Sequence, residues 1–498
     1  MKHKLKKLSL ILVVTLVFGS CKKDYLETAP TDAVLEPVLF NSTDVIIPVL
    51  ESSYRTMFAF LVNGTDGHDQ FGQKSNDLAS DLMGNDMVVH SQGYGWFNGD
   101  YRLTEWIQPN PSNRRSDIAW FFYYNIIKQM NTLINNVDAA SGDLRVKESL
   151  KGQALGLRAY CYFNLVNFFQ QTYKGNETKP GVPIYLEFAI EGQPRGTVQD
   201  VYDLIIADLT AAETLLTGKT RQSKVNIDVS VVQGIRARVA LIMEDWPTAA
   251  TKAAAAQTGY TLMTDAQYQS TAAFSSIANP ECMWGSQITT DQATIYASFY
   301  SHMDIRTSGY AALGGQKKIT KALYDQIPTG DNRKDRFVAP GAGDEVDVDY
   351  NQHKLQVPTA GSWAADYFYM RAAEMYLIQA EALARQGGAS EATAKTVLET
   401  LVRSHYPAYS ASTFSGTALL NEILLQRRIE LWGEGFSLTD IKRLNQGLAR
   451  PSGAGNHGSP NLDPIVYTTG AADPRFLMKI PQREIDNNGN MTPADQNP

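Results

Sequence analysis

Residues 371–394 read RAAEMYLIQAEALARQGGASEATA, and this stretch decides the fold. Apolar residues recur every three or four positions before the pair Gly387 and Gly388, which predicts an amphipathic helix over 365–385. The two glycines end that helix, and a second helical pattern runs over 390–402. Because so short a link joins the two patterns, we expect the helices to pack antiparallel as a hairpin.

The same pairing of helical patterns recurs along the chain. The predicted hairpins span about 117–169, 198–257, 365–403 and 417–448. Their small facing residues resemble those of tetratricopeptide repeats, although the spacing follows no strict period. Trp120, Trp246 and Trp432 lie on helical stripes and are predicted core residues. The predicted fold is therefore mostly all-α, with a tetratricopeptide-like helix-hairpin scaffold.

Two long regions lack helical periodicity. They cover about 64–116 and 257–365 and are rich in Gly, Asn, Asp and aromatic residues. Short strands are predicted near 283–285 and over 349–357. Long loops without secondary structure are uncommon in a compact chain and are usually functional. We therefore expect the helical frame to carry large irregular excursions that form a recognition surface.

Cys21 ends a segment with the features of a secretory signal. It follows a basic start, an apolar run over 8–18 and the small residues Gly19 and Ser20. A cysteine at this position is typical of a bacterial lipoprotein, in which the thiol is lipidated before cleavage. The apolar run is too short for a membrane span of about 20 residues. We predict a signal peptide over 1–20, a lipidated leash over 21–40 and a single domain over 41–498.

Composition limits the partners of the chain. The formal net charge is -7, which gives no electrostatic footprint for nucleic acid. Aromatic residues make up 10% of the chain, with 24 Tyr and 7 Trp. Such residues either fill a core or line a binding surface. Cys161 and Cys282 are predicted to be buried thiols, because their spacing suggests no disulfide framework.

No recognisable catalytic or metal motif emerges. The histidines lack metal-ligand spacing, and the G-x-G-x-x-G match at 453–458 has no strand before it and no helix after it. The acidic stretch 344–349 lacks the EF-hand pattern, so a solvated turn is favoured over a calcium site. A pair of glycosidase carboxylates is a matter of spatial separation and stays open. We predict no metal and no cofactor.

Several stretches together are similar to the SusD/RagB family of outer-membrane nutrient-binding lipoproteins. They run from the leader to the C-terminal region: SCKKDYLE at 20–27, ALGLRAYCYFNL at 154–165, RAAEMYLIQAEA at 371–382, RRIELWGEG at 427–435 and IPQREID at 480–486. The resemblance implies one helical domain with four tetratricopeptide-like hairpins. It also implies glycan or other nutrient ligands, a SusC-like TonB-dependent transporter as partner, and no enzymatic activity.

The chain departs from the family pattern after Glu434-Gly435. The family has an Arg followed by aromatic residues, whereas this chain reads FSLTD over 436–440. The shared motifs are interpreted as scaffold. Arg371 and Glu374 lie one helical turn apart and are expected to pair.

Aromatic residues in the two irregular regions are the candidate ligand contacts. Sugar rings present C–H faces that Trp and Tyr can cover, while Asn and Asp read hydroxyl groups. Three groups qualify, the first lying where the resemblance implies ligand-stacking aromatics. The candidates are Tyr94, Trp96, Asn98, Asp100, Tyr101 and Trp106 in the first group, Trp284, Tyr296 and Tyr300 in the second, and Trp363 alone in the third.

Two functions are compatible with these features. The first is a cell-surface lipoprotein that binds a glycan or other nutrient and passes it to a TonB-dependent outer-membrane transporter. The alternative is a secreted, lipid-anchored glycoside hydrolase. The helix-hairpin scaffold and the full-length resemblance favour the first.

Overall fold

The computed structural model describes residues 40–60, 67–104, 114–187, 189, 191–458, 462 and 464–498. Helices dominate this part of the chain. They are α1 (Thr43–Thr56), α2 (Gln73–Leu82), α3 (Asn98–Arg102), α4 (Arg114–Val137), α5 (Leu144–Phe169), α6 (Val198–Leu216), α7 (Val229–Met243), α8 (Trp246–Ala256), α9 (Asp265–Gln269), α10 (Phe299–Met303), α11 (Lys321–Tyr324), α12 (Ala372–Gln386), α13 (Ser390–Arg403), α14 (Gly416–Glu430), α15 (Ser437–Arg443) and α16 (Gln482–Asn487). No helix among these residues is long and apolar enough to cross a bilayer.

The strands are short and pair in antiparallel ribbons. They are β1 (Met87–Val89), β2 (Pro180–Pro183), β3 (Arg195–Thr197), β4 (Cys282–Ser286), β5 (Lys317–Ile319) and β6 (Tyr367–Arg371). β1 pairs with β5, β2 with β3, and β4 with β6. The mostly helical, tetratricopeptide-like fold predicted from the sequence is therefore confirmed.

Neighbouring helices stack in chain order. α4 packs on α5, α5 on α6, α7 on α8, and α8 on α12, which in turn contacts α13 and α14. Thr197 caps α6 through a capping box with Asp200, which satisfies the first backbone N–H groups of that helix. One continuous core of buried apolar residues runs through most of these elements, and a smaller one lies between α12, α13 and α14.

Glycine permits close packing against α5 and α7. A Cβ atom at Gly152 in α5 would lie 2.7 Å from Cγ of Leu216 in α6. A Cβ atom at Gly234 in α7 would lie 2.3 Å from Sδ of Met370 in β6. Real Cβ atoms essentially never approach so closely, so a side chain at either position would require Leu216 or Met370 to move.

The irregular regions contain more structure than the sequence predicted. Residues 73–82, which read QKSNDLASDL, form a helix that the sequence did not predict. Most of their polar side chains are buried, so no apolar stripe marks the helix in the sequence. Residues 367–371 form a strand, not the first turns of a helix; the run Tyr-Phe-Tyr-Met favours extended backbone and pairs with β4. The predicted strand over 349–357 is reduced to isolated bridges at Asn351 and Gln352.

A buried charge network joins these parts, and Arg371 is its centre. Its guanidinium contacts the carboxylates of Glu281 at 2.6 Å, Glu430 at 2.8 Å and Glu434 at 2.8 Å. The expected pairing of Arg371 with Glu374 is wrong, since Glu374 instead binds Arg238 at 2.6 Å. The reason is geometric: Arg371 ends a strand and its side chain leaves α12 for the neighbouring elements.

The network also sets the charge state of its carboxylates. Burial alone would raise the pKa of Glu434, but Arg371 and Lys354 reverse that effect and lower it to about 2. The nearby Glu430 also binds Arg333, at 3.1 Å. These groups therefore stay ionised inside the protein, and each depends on its partners to offset the cost of desolvation.

We predict that Arg371→Ala destabilises the fold by about 3–5 kcal/mol, because it leaves three buried carboxylates without their shared cation. Arg403→Ala is the matched control: Arg403 pairs with Glu399 at 3.0 Å but is half-exposed, so its loss should cost at most about 1 kcal/mol. Urea denaturation measures both. Similar, small losses for the two variants would contradict the central role of Arg371.

Candidate functional site

Four of the predicted aromatic candidates meet on one surface, together with two residues that the sequence did not single out. We call this surface the aromatic platform. Its members are His68, Tyr94, Trp96, Tyr296, Tyr310 and Trp363. They come from separate parts of both irregular regions, so the fold creates the platform by bringing distant segments together.

Tyr310 and His68 hold the platform together. The Tyr310 ring lies 5.3 Å from that of Tyr94, 6.1 Å from that of Trp96 and 5.6 Å from that of Tyr296, measured between centroids. His68 stacks on Tyr296 at 5.9 Å with an interplanar angle of 11°. His68 Nδ1 also hydrogen-bonds the Tyr310 hydroxyl. These rings therefore form one connected group.

The platform faces solvent. Tyr94 is 70% exposed and Tyr296 is 44% exposed, whereas Trp96, Tyr310 and Trp363 are half-buried. Trp363 extends the group at one end, with its ring 6.0 Å from that of Tyr296. Large aromatic side chains are normally buried, so two exposed ones that meet half-buried rings in a single patch indicate a binding surface.

The backbone on either side of Trp96 adopts an unusual conformation. Gly95 and Phe97 on either side adopt left-handed conformations, with φ of 84° and 64°. Such a φ is unusual for a phenylalanine and persists only where surrounding contacts hold it. Here the Phe97 ring is buried under the guanidinium of Arg115, whose carbon lies 4.6 Å from the ring centroid.

A second contact ties the Trp96 loop to the segment that carries Tyr310. The backbone N–H of His90 donates to the Gln316 carbonyl at 3.0 Å, and Ser91 Oγ donates to the Gly314 carbonyl. Lys317 is buried beneath this turn and donates to the Gly315 carbonyl. The two halves of the platform are thus joined through their backbones as well as through their rings.

Three residues of the predicted Tyr94–Tyr101 group are buried beneath the surface. Asn98 donates to the Gln92 carbonyl at 3.3 Å, and Asp100 forms a buried ion pair with Arg115 at 3.3 Å. Tyr101 is fully buried, and its hydroxyl hydrogen-bonds His457 at 2.7 Å. The structure therefore places these three side chains inside the protein, where Asp100, Tyr101 and the amide nitrogen of Asn98 bind the protein itself, and not among the exposed rings.

Two more candidates are core residues. Trp284 is fully buried and donates its indole N–H to the Val225 carbonyl at 3.1 Å. Tyr300 is also buried, with its hydroxyl donating to the carbonyl of Phe274 at 2.7 Å. The prediction for both is wrong, since strand β4 and helix α10 turn them inward. Trp106 and Cys21 lie outside the described residues.

Sequence reasoning missed His68 and Tyr310. His68 sits in a polar stretch and Tyr310 follows Ser308-Gly309, so neither belongs to a periodic pattern or a motif. Only their contacts with Trp96 and Tyr296 reveal them. The buried His302 beneath them was missed for the same reason.

A cleft of about 740 Å³ lies between α14 and α15. Its charged groups already bind one another: Arg428 pairs with Asp86 at 2.6 Å and Arg427 with Asp440 at 2.7 Å. Trp432 in its wall is buried. The cleft offers no exposed aromatic face comparable to Tyr94 or Tyr296, so the platform is the better candidate for stacking a ligand.

Metal and thiol chemistry find no support in the part of the chain that the structure describes. Within it, no group of three or more His, Cys, Asp or Glu side chains is placed to bind a metal ion. The carboxylates of the acidic stretch accept backbone hydrogen bonds, as Asp344 does from Val346 at 2.7 Å and Asp349 from Gly343 at 2.8 Å. Cys161 and Cys282 are buried free thiols, as predicted.

Two family models match the chain. The model described as "Starch-binding associating with outer membrane" covers residues 54–241, and the model of the SusD family covers residues 276–498. The chain belongs to the SusD/RagB family. The matched ranges include Trp96 in the first case and Tyr296, Tyr310 and Trp363 in the second.

Solved SusD-like structures cover nearly the whole chain. A SusD-like carbohydrate binding protein from Bacteroides vulgatus is 27% identical, with a TM-score of 0.79 over 91% of this chain and 98% of that one. A SusD superfamily protein from Bacteroides thetaiotaomicron is 21% identical, with a TM-score of 0.77 over 92% and 100%. The second shows the fold alone.

A third structure also shares the fold. It is surface glycan-binding protein A from Bacteroides thetaiotaomicron, which is 17% identical with a TM-score of 0.67 over 92% of this chain and 99% of that one. No curated protein sequence matches the chain.

The buried His302 beneath the platform makes stability depend on pH. Burial, and next the charge of Lys317, lower its pKa from 6.5 to about 3. Below about pH 6.5 the unfolded chain takes up a proton at His302 that the folded protein excludes, so stability falls as the pH drops towards 3.

We predict that His302→Phe removes this dependence. Between pH 6.5 and 5 the wild type should lose about 1.4 kcal/mol per pH unit more than the variant, which corresponds to one proton. Urea denaturation of both proteins at pH 7, 6 and 5 measures the difference. Parallel pH profiles would show that His302 is not held neutral in the folded protein.

Proposed function

We propose that this SusD/RagB protein binds a glycan on the aromatic platform. The observation that carries the proposal is the meeting of exposed Tyr94 and Tyr296 with half-buried Trp96 and Trp363 on one surface. Flat rings at these spacings can each cover the C–H face of a sugar residue. Similarity to a carbohydrate binding protein from Bacteroides vulgatus over nearly the whole chain supports it.

The polar groups near the platform suit a ligand with hydroxyl groups. His68 and Tyr310 carry nitrogen and oxygen atoms at the centre of the rings and hydrogen-bond each other. The Trp96 ring packs edge-on against that of Tyr310, with 6.1 Å between the centroids. A ligand hydroxyl can join such a network as both donor and acceptor, while the rings bind the apolar face of the sugar.

In this proposal the protein is a lipid-anchored lipoprotein of the outer membrane that faces the cell surface of a Gram-negative bacterium. It captures the glycan and delivers it to a SusC-like TonB-dependent transporter without cleaving it. The SusD-family match and the predicted leader that precedes Cys21 support this role. Incubating the protein with each glycan that it binds, followed by analysis of reducing ends, tests the hydrolase alternative, because released reducing ends would contradict a pure binding role.

We predict that Trp96→Ala weakens glycan binding tenfold to hundredfold, because the loss of a stacking face costs about 1–3 kcal/mol. Stability should change less than the roughly 3–5 kcal/mol expected for a fully buried tryptophan. A glycan array identifies the oligosaccharide, and calorimetric titration with thermal melting then compares the variants. Trp246→Ala, which removes a half-buried tryptophan from α8, is the control and should leave affinity unchanged.

Unchanged affinity in folded Trp96→Ala would place the glycan elsewhere. A loss of affinity that Trp246→Ala reproduces would mean that the effect is a general consequence of destabilisation.

We predict that Cys21→Ala prevents lipidation and releases the folded protein from the membrane. The expected result is a shift from the membrane fraction to the soluble fraction, with no change in melting temperature, since Cys21 lies in the predicted leash over 21–40 and outside the predicted domain over 41–498. Fractionation of cells that express the variant, with incorporation of labelled palmitate, provides the measurement. Unchanged membrane association would refute the lipoprotein assignment.

We predict that the protein co-purifies with a large outer-membrane β-barrel protein after extraction in mild detergent. The family match is the reason for this expectation. Affinity purification from cells that retain the native gene cluster, followed by mass spectrometry, identifies the partner. Repeated purification without any such protein would count against delivery to a transporter.

A further inference from the structure

His302 lies directly beneath the centre of the platform. It sits in α10, is 1% exposed, and its ring stacks on that of Tyr310 at 5.0 Å with an interplanar angle of 24°. Its other neighbours are the buried rings of Phe97 at 5.0 Å and Phe71 at 5.5 Å. A ligand on the platform therefore cannot reach His302, although Tyr310 rests on it.

A hydrogen bond links His302 to a second member of the platform. Its Nε2 lies 2.8 Å from the carbonyl oxygen of His68. A carbonyl can only accept, so Nε2 carries the proton and donates it, and the ring is in the Nε2–H form. His302 thus contacts one platform residue through its ring face and another through its ring edge.

These two contacts act on the residues that organise the rest of the surface. Tyr310 touches Tyr94, Trp96 and Tyr296, and His68 stacks on Tyr296. Tyr310 and His68 together contact every other ring of the platform except the outlying Trp363. Lys317 and Arg115 are the cationic side chains that face His302. Neither takes the place of its stacking on Tyr310 or of its hydrogen bond to His68.

We propose that His302 is a positioning residue of the aromatic platform: it sets the placement of Tyr310 and His68 and so controls ligand affinity from beneath the binding surface. The inference rests on the proposed function of the platform. It predicts that ligand affinity depends on a side chain that no ligand touches. It also predicts that a ring of similar size without the hydrogen bond to His68 does not restore that affinity.

The chain offers a matched control in His457. This histidine is also fully buried, stacks on a tyrosine, Tyr101, at 5.6 Å, and bonds a backbone carbonyl, that of Asn85, at 2.9 Å. Burial lowers its pKa to about 3, as it does that of His302. His457 does not contact the platform. Its replacement therefore measures how much affinity is lost when a buried histidine is removed without any effect on the position of the platform rings.

The test compares His302→Phe with His457→Phe. Both keep a ring and lose the hydrogen bond to a carbonyl; His457→Phe also loses the bond to the Tyr101 hydroxyl, so it removes at least as much local support. Calorimetric titration uses the oligosaccharide with the highest signal on the array. We expect about tenfold weaker binding for His302→Phe and less than twofold weaker binding for His457→Phe. A tenfold loss corresponds to about 1.4 kcal/mol of binding free energy. If His302→Phe does not fold, His302→Gln takes its place, since it loses the stacked ring but keeps a donor.

Acrylamide quenching of tryptophan fluorescence gives a readout that needs no glycan. The contribution of Trp96 is the difference between each protein and the same protein carrying Trp96→Phe. Greater quenching of Trp96 in His302→Phe, but not in His457→Phe, supports positioning. Unchanged affinity and quenching in the His302 variant, or equal losses in both variants, would overturn the inference. Absence of glycan binding by the wild type would instead refute the proposed function, and the quenching result would still decide the role of His302.

Discussion

The ion pairs of Arg371 are the constraint on which the rest of the structure depends. This single buried guanidinium binds Glu281 before β4 and both Glu430 and Glu434 at the end of α14. It stands where β6 passes into α12, so one side chain joins the helical scaffold to the long excursion between residues 257 and 365. The pairs are costly to bury and costly to break, which makes the relative placement of these elements nearly fixed.

The placement of the platform follows from that junction. β6 pairs with β4, and Tyr367 in β6 accepts a hydrogen bond from the backbone N–H of Phe299 at 2.9 Å. This contact fixes the start of α10, which carries His302 beneath Tyr310. A rigid scaffold thus holds irregular segments whose exposed aromatic residues form the binding surface. Buried hydrogen bonds and ion pairs support this binding surface from below, whereas the surface itself is made of aromatic rings.

The sequence predicted the scaffold well and the platform only in part. Apolar residues recur every three or four positions along an amphipathic helix, so the sequence alone identifies most of the helical stretches. Tyr94, Trp96, Tyr296 and Trp363 were recognised one segment at a time, but no local pattern shows that they meet. Trp284 and Tyr300 looked equivalent to them, because a loop-like sequence does not reveal which side of a short strand or helix faces inward. The sequence did not predict helix α2, because its buried side chains are mostly polar and bind other polar groups, so they form no apolar pattern.

The crystal structure of the protein with a bound oligosaccharide tests the central claim most directly. The account predicts sugar rings stacked on Tyr94, Trp96 or Tyr296, with ligand hydroxyl groups close to His68 or Tyr310 and no direct contact with His302. Density for the oligosaccharide in the cleft between α14 and α15, with the aromatic platform empty, would contradict it.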